Sequence, residues 1–98
     1  MESIYQSCLA HEFHLRGLKF EPEKPLPVQY KGLVLEKGYL LDFVVEEKIV
    51  LELKSVGEIL PVHEAQLLTY LKLTRCKLGR ILNFNVAVMR KGIRRIIL

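Results

Sequence analysis

Two apolar segments joined by a short charged turn place the strongest constraint on this fold. They run from Leu41 to Ser55 and read LDFVVEEKIVLELKS. Both segments are rich in strand-favouring residues, and the intervening residues, Glu46 to Lys48, suit a hairpin loop. The segment therefore predicts two antiparallel strands that enter the core.

Three charged residues, Asp42, Glu52 and Lys54, lie within these apolar strands. An isolated ion in a core costs several kcal/mol unless something compensates it. With a three-residue loop centred on Glu47, Asp42 lies directly opposite Glu52, and alternation puts Lys54 on the face of Glu52. One face is then polar, and the other is apolar, with Leu41, Phe43, Val45, Leu51 and Leu53.

Paired carboxylates concentrate negative charge, which Mg²⁺ or Mn²⁺ relieves. A neighbouring lysine can balance charge at an attacking water or a scissile phosphate. The pattern is typical of a metal-dependent phosphodiesterase in which Asp42 and Glu52 hold the metal. The alternative is an ordinary solvated face for Glu52 and Lys54, with Asp42 at its rim or in a turn.

Length and hydropathy favour one globular domain over residues 1–98, half of which are apolar. No apolar run approaches the ~18 residues that span a bilayer, and the N-terminus lacks the pattern of a signal peptide. We therefore expect a cytoplasmic protein without a membrane segment.

Helical spacing of apolar residues predicts a first helix from Met1 to about Arg16, closed by Gly17. Pro61 opens a second predicted helix that reaches about Thr74. A meander precedes it, a terminal hairpin follows it, and the crossover between them predicts a mixed sheet in an α/β (α+β) fold. The predicted strands are 18–20, 26–30 (an edge segment because of its prolines), 33–35, 39–45, 49–55, 81–89 and 93–98, with turns at Lys31-Gly32, Lys37-Gly38 and Arg90-Lys91-Gly92.

A polar stripe on the second helix, His63, Gln66 and Tyr70, can face the acids. Gln66 could orient a water or hold a phosphate, Tyr70 could hydrogen-bond to either, and His63 could contact phosphate or act only as a cap. Glu2, in the first turn of the first helix, can face the same site or only complement the helix dipole.

The net charge of +4 and the pI of about 9.2 come with basic residues concentrated after position 71. This bias suits a nucleic acid, DNA or RNA, held through its phosphates, although it is also an ordinary solubility device. Candidate nucleic-acid contacts are His63, Tyr70, Arg94 and Arg95. The basic residues are Lys72, Arg75, Lys77, Arg80, Arg90, Lys91, Arg94 and Arg95.

The residues Glu2 to Tyr5, Asp42, Glu52 to Lys54, and His63 to Leu71 resemble the GxxExxY family of small bacterial proteins, placed in the PD-(D/E)XK nuclease superfamily. The resemblance extends over nearly the whole chain. It implies a restriction-endonuclease-like core in which Asp42 and Glu52 bind a divalent metal and Lys54 assists the water or phosphate. It also implies site roles for Gln66, in the motif of the following helix, and for Glu2, the motif glutamate of the first helix.

Two functions are consistent with these observations. The first is a Mg²⁺- or Mn²⁺-dependent nuclease, and the second is a catalytically silent module that binds nucleic acid or protein on the same fold. A homodimer with two active sites is compatible with both the exposed proline-rich edge and the cutting of two strands.

Overall fold

The computed structural model describes residues 2–85 and 92–98, which form two helices and five strands. The elements are α1 (Glu2–Leu15), β1 (Phe20–Tyr30), β2 (Leu33–Val45), β3 (Ile49–Lys54), α2 (Pro61–Thr74), β4 (Leu78–Asn83) and β5 (Ile93–Ile97). The strands form one sheet in the order β1-β2-β3-β4-β5, in which β3 and β4 are parallel and all other neighbours antiparallel. The predicted mixed α/β fold and its element order are confirmed, and the proline-bearing β1 lies at an edge.

A glycine ends α1 where the sequence predicts. Gly17 has a φ of +68°, a left-handed conformation that glycine adopts without a steric penalty. Its N–H donates to the carbonyl of His14 at 3.1 Å. Phe13, in the last turn of α1, is buried edge-on against Phe43, with ring centroids 5.3 Å apart. This contact places α1 over the sheet face that carries Phe43.

Strands β1 and β2 form one long hairpin. The predicted turn at Lys31-Gly32 is confirmed, since both residues have positive φ. The predicted turn at Lys37-Gly38 is wrong, because both residues lie inside β2. Gly38 is instead the place where Val28 of β1 crosses closely, next to a register irregularity, and a Cβ there would overlap the Val28 side chain.

The second hairpin, β2–β3, has the predicted register. Its loop is Glu46 to Lys48, and the pairs Val45 with Ile49 and Phe43 with Leu51 follow from it. One residue further, the same register sets Asp42 opposite Glu52. Because β3 is the central strand of five, the pair lies in the middle of the sheet.

Four of the five residues predicted for the apolar face pack beneath α1. The fifth, Leu41, was wrongly assigned, because it packs on the α2 side of the sheet. Glu23, which lies in β1 between the partners of Leu41 and Phe43, has a φ of +48°. A left-handed residue interrupts the regular pleat at this point, beside Asp42. The residues beneath α1 are Phe43, Val45, Leu51 and Leu53.

The face that carries the acids is also apolar. Val44, Val50 and Ile81 are buried there with the α2 residues. The expected division into one apolar and one polar face is therefore wrong. Asp42 and Glu52 lie at the margin of a second core, and Glu52 is buried there.

The crossover helix α2 has its predicted bounds, from Pro61 to Thr74. Leu67 and Leu71 are fully buried against the sheet. Gly79 of β4 lies under Leu67, and a Cβ at Gly79 would come within 2.9 Å of the Leu67 side chain. The missing side chain lets α2 lie close to the centre of the sheet.

Strand β4 begins at Leu78, three residues before its predicted start, and ends at Asn83. Phe84 and Asn85 lie outside the strand, so the predicted extension of β4 to them is wrong. The rest of that predicted strand, Val86 to Met89, lies outside the described residues, as do Arg90 and Lys91 of the last predicted turn. Among the described residues, no helix has the length and apolar character needed to cross a membrane.

Candidate active site

The carboxylates of Asp42 and Glu52 accept backbone hydrogen bonds just beyond the point where backbone pairing between β2 and β3 ends. The last pair of that ladder is Phe43 with Leu51. Beyond it, the N–H of Leu53 donates to Asp42 Oδ2 at 2.7 Å, and the N–H of Asp42 donates to Glu52 Oε1 at 3.3 Å. Each side chain is thus fixed by a backbone donor of the opposite strand, which holds the two acids side by side.

Glu52 is only 8 % exposed, so the alternative of a solvated face is wrong for this residue. Burial, and next the charge of Asp42, raise the pKa of Glu52 to about 8. Lys54 acts in the opposite direction and favours the charged form. Without a cation, Glu52 therefore holds its proton at neutral pH.

The donor set fits a hard divalent cation. Asp42 Oδ1 and Glu52 Oε2 accept no hydrogen bond from the described residues. Because no fully buried side-chain oxygen of these residues lacks a partner, both atoms are at least partly accessible. No cluster of three or more His, Cys, Asp or Glu occurs within residues 2–85 and 92–98. Two carboxylate oxygens with water in the remaining positions are a set that suits Mg²⁺.

Lys54 follows Glu52 on the same side of β3, and its backbone is anchored to the neighbouring strand. Its carbonyl accepts the N–H of Phe84 at 2.9 Å. Its ladder partner is Asn83, which is 3 % exposed. The Asn83 side chain donates to the carbonyl of Val56 at 2.9 Å and accepts the N–H of Val56 at 3.1 Å. Asn83 therefore holds the chain that leaves β3 and so positions Lys54.

Tyr70 lies beside the acids, as the helical stripe predicts, but it is buried. Burial, and next the charge of Glu52, raise the pKa of Tyr70 to about 12, so its hydroxyl keeps its proton. Its ring packs against Tyr39 with centroids 5.2 Å apart. The hydroxyl, and not the ring, is the part of Tyr70 that is suited to contact a substrate.

Gln66 and His63 differ in how many of their side-chain atoms are available to another partner. His63 Nδ1 accepts the N–H of Leu60 at 3.0 Å, which confirms its interpretation as a helix cap and leaves only Nε2 for another partner. Gln66 is exposed beside Tyr70 and lines a cavity of about 350 Å³. The other residues that line it are Tyr39, Val62, Ala65 and Thr69.

A known protein family matches nearly the whole chain. The model of the PD-(D/E)XK nuclease superfamily matches residues 1–96. The chain belongs to this superfamily. No curated protein and no solved structure matches it. Membership in the PD-(D/E)XK superfamily supports a nuclease-type function on a nucleic-acid substrate.

The structure does not bring three predicted residues to the carboxylate pair of this PD-(D/E)XK chain. Glu2 is exposed on α1, which covers the opposite face of the sheet. Arg94 forms an ion pair with Glu64 of α2. Arg95 follows it on β5 and therefore points to the other face. Because they lie on opposite faces of the sheet, Arg94 and Arg95 cannot both bind one phosphate.

Sequence reasoning missed two residues of the candidate site, Asn83 and Tyr39. Asn83 offered one signal, a polar amide at a position that alternates with Ile81 and is therefore expected to be buried. Tyr39 offered none, because its contact with Tyr70 joins segments that are far apart in the chain.

Proposed function

We propose that this chain is a Mg²⁺- or Mn²⁺-dependent nuclease that hydrolyses phosphodiester bonds in DNA or RNA. The observation that carries the proposal is the juxtaposition of Asp42 and Glu52 on adjacent strands, with Lys54 on the same face. Ionisation of Glu52 is unfavourable without a counter-charge, because Glu52 is buried beside a second carboxylate. A divalent cation would relieve that cost.

The metal ligands in this proposal are Asp42 Oδ1 and Glu52 Oε2. The other oxygen of each group accepts a backbone N–H, so both carboxylates are oriented before a cation arrives. When bound, the cation supplies a more acidic water and stabilises charge on the phosphate. Asp42 and Glu52 also keep their positions during turnover, because the strands hold them.

Lys54 is the proposed assistant of the attacking water or the scissile phosphate. Its ammonium group is close enough to Glu52 to favour the charged carboxylate, and its backbone is held by Asn83 and Phe84. From α2, the Gln66 amide and the Tyr70 hydroxyl are proposed to contact the water or phosphate oxygens. His63 Nε2 is proposed to contact a more distant phosphate.

A role for Glu2 rests on the family resemblance and on the position of α1. The ring of Tyr5, one turn after Glu2, stacks on Phe84 with centroids 4.2 Å apart. Because Phe84 follows Asn83, this end of α1 lies near the end of β3 at which Lys54 stands. Glu2 is therefore proposed to act in the outer shell of the site. Membership in the GxxExxY family, within the superfamily, also stays a prediction.

Metal titration and cleavage assays test the proposal together. We expect Mg²⁺ and Mn²⁺ to bind the wild type by isothermal titration and to support cleavage of plasmid DNA or a short RNA. Asp42→Asn/Glu52→Gln should abolish metal binding and lower the cleavage rate roughly a hundredfold or more, because charge stabilisation at the phosphate is lost. A matched control, Glu36→Gln/Glu58→Gln, removes two exposed acids and should behave as the wild type.

A Lys54→Met variant separates binding from chemistry. It should still bind metal, although Glu52 loses a group that favours its charged form. The single-turnover rate at saturating metal should fall, because the lysine acts on the water or phosphate. Cleavage by Asp42→Asn/Glu52→Gln at the wild-type rate would refute the proposal. Nucleic-acid binding by a wild type that neither binds metal nor cleaves would favour the silent interaction module.

A further inference from the structure

Helix α1 covers only half of the sheet face on which it packs. Along β4, the residues that face α2 are buried, while the alternate residues are only half-buried. On the edge strand β5, the residues that point away from α2 are exposed. The open face is opposite the one that carries Asp42 and Glu52. It consists of Leu78, Arg80, Ile93, Arg95 and Ile97, whereas Leu82 of β4 packs against the core beneath α1.

Two arginines oppose each other on this face. Arg80 of β4 is the direct ladder partner of Arg95 of β5. Opposed side chains on antiparallel strands have Cβ atoms about 5 Å apart, and like charges there are destabilising. The neighbour of Arg80 on β3 is Leu51, which offers no charge. The sheet therefore places two positively charged side chains opposite each other, an arrangement that costs stability.

No acid of the described residues neutralises this pair. The ion pairs in residues 2–85 and 92–98 engage other basic side chains, namely Arg16, Lys19, Lys24 and Arg94. The segment from Val86 to Lys91, which joins the region of β4 to β5, contains no acidic residue in its sequence. Arg80 and Arg95 thus form a concentrated positive site without an internal counter-ion.

We propose that Arg80 and Arg95 bind backbone phosphates of the substrate on the sheet face opposite the carboxylates. This rests on the proposed nuclease function. Guanidinium groups bind phosphate through paired hydrogen bonds, and a polyanion is the ligand that removes their mutual repulsion. The flanking Ile93 and Ile97 offer no hydrogen-bonding groups to base edges, so the contact is independent of sequence.

The position of the pair sets which part of the substrate it contacts. Glu52 pairs with Ile81, which pairs with Arg94, so Arg95 lies two strands from Glu52, about 10 Å across the sheet. Because it also lies on the other face, the nucleic acid must pass around the sheet to reach both sites. The arginines therefore hold a flank of the substrate, several nucleotides from the scissile bond.

Salt-dependent binding tests this assignment. Arg80→Gln/Arg95→Gln is compared with Lys31→Gln/Lys37→Gln, which removes two exposed charges from the β1–β2 hairpin. Both are made in an Asp42→Asn background and titrated by anisotropy in EDTA with labelled single-stranded and duplex oligonucleotides. For single strands, the slope of log Kobs against log salt should become shallower by about 1.4, and affinity at 0.1 M salt should fall about 25-fold, for two lost phosphate contacts.

The outcomes are distinct. A slope in Arg80→Gln/Arg95→Gln equal to that of the lysine control overturns the proposal, as does an absence of nucleic-acid binding by the parent. An arginine variant that loses binding to phosphatidylserine vesicles in a co-sedimentation assay, while its oligonucleotide binding stays intact, also overturns it. The thermal midpoint of the arginine variant should not fall, since a like-charge pair is removed. Metal-dependent cleavage by protein with intact Asp42 tests the nuclease function separately.

Discussion

The protonation of one buried side chain, Glu52, affects both the stability of the fold and the proposed binding of a metal. Its carboxylate is nearly inaccessible, and a second carboxylate, that of Asp42, lies beside it. Both effects penalise its charged form, whereas a divalent cation favours it. In the proposed function, a cation that binds at Asp42 and Glu52 displaces a proton from Glu52 at neutral pH.

The raised pKa of Glu52 predicts a pH-dependent stability. Its pKa is about 8 when folded and near 4.5 as a free side chain, so between these values the folded state binds more protons than the unfolded state. The contribution of Glu52 to the free energy of unfolding is therefore fully present below about pH 4.5 and is lost, by a few kcal/mol, as pH rises through 8. Urea denaturation of the metal-free protein across this range measures the decrease.

Glu52→Gln should remove that decrease, because the amide does not titrate. The three histidines are present in both proteins and cancel in the difference. Glu36→Gln serves as the control for the loss of an exposed acid. Identical pH profiles for the wild type and Glu52→Gln would contradict the prediction.

The β1–β2 hairpin shows how an element depends on one close approach. Its strands are long, and its outer part extends beyond the two helices that cover the sheet. Gly38 lets Val28 cross over β2 at the register irregularity. Glycine is required here by space, because its φ is not among the positive ones.

Gly38→Ala should destabilise the protein by about 1–3 kcal/mol, the usual cost of forcing extra volume into a packed contact. Chemical denaturation measures this change. Gly57→Ala is the matched control, because a Cβ at Gly57 meets no atom within 4 Å and the variant should be near neutral. Equal stability of the two variants would show that Val28 moves aside without cost.

The whole molecule exposes an apolar surface at the tip of that hairpin. Tyr30 pairs with Leu33, and Val28 pairs with Leu35, so these residues share one face. Tyr30, Leu33 and Leu35 are all about half exposed or more. Contiguous exposed apolar patches on soluble proteins commonly mark interaction sites. The homodimer stays a prediction, and this tip is where we expect its contact.

Leu33→Lys/Leu35→Lys should shift a dimer toward monomer in sedimentation equilibrium without loss of helical circular dichroism, since both residues are exposed. Ile4→Lys/Leu15→Lys changes two exposed apolar residues of α1 and should leave the association unchanged. A wild type that stays monomeric at all concentrations would contradict the prediction.

Local chemistry made much of the fold and the central pair predictable. Pro61 and Gly17 mark helix ends because proline and glycine restrict or release the backbone at their own positions. The pairing of Asp42 with Glu52 follows from a three-residue loop and the alternation of strand side chains. Such signals act over a few residues, so the order of amino acids alone is enough to locate them.

Other features depend on segments that meet only after folding. Contacts between separate strands and helices decide four such features. They are the side of the sheet on which Leu41 packs, the need for glycine at position 38, the hydrogen bonds of Asn83 and the burial of Glu52. The chain order indicates that an acid stands in an apolar strand, but it does not indicate how much of that acid α2 will cover. Burial is a property of all the neighbours together, and therefore the pKa of Glu52 and its suitability for a metal were decided by packing.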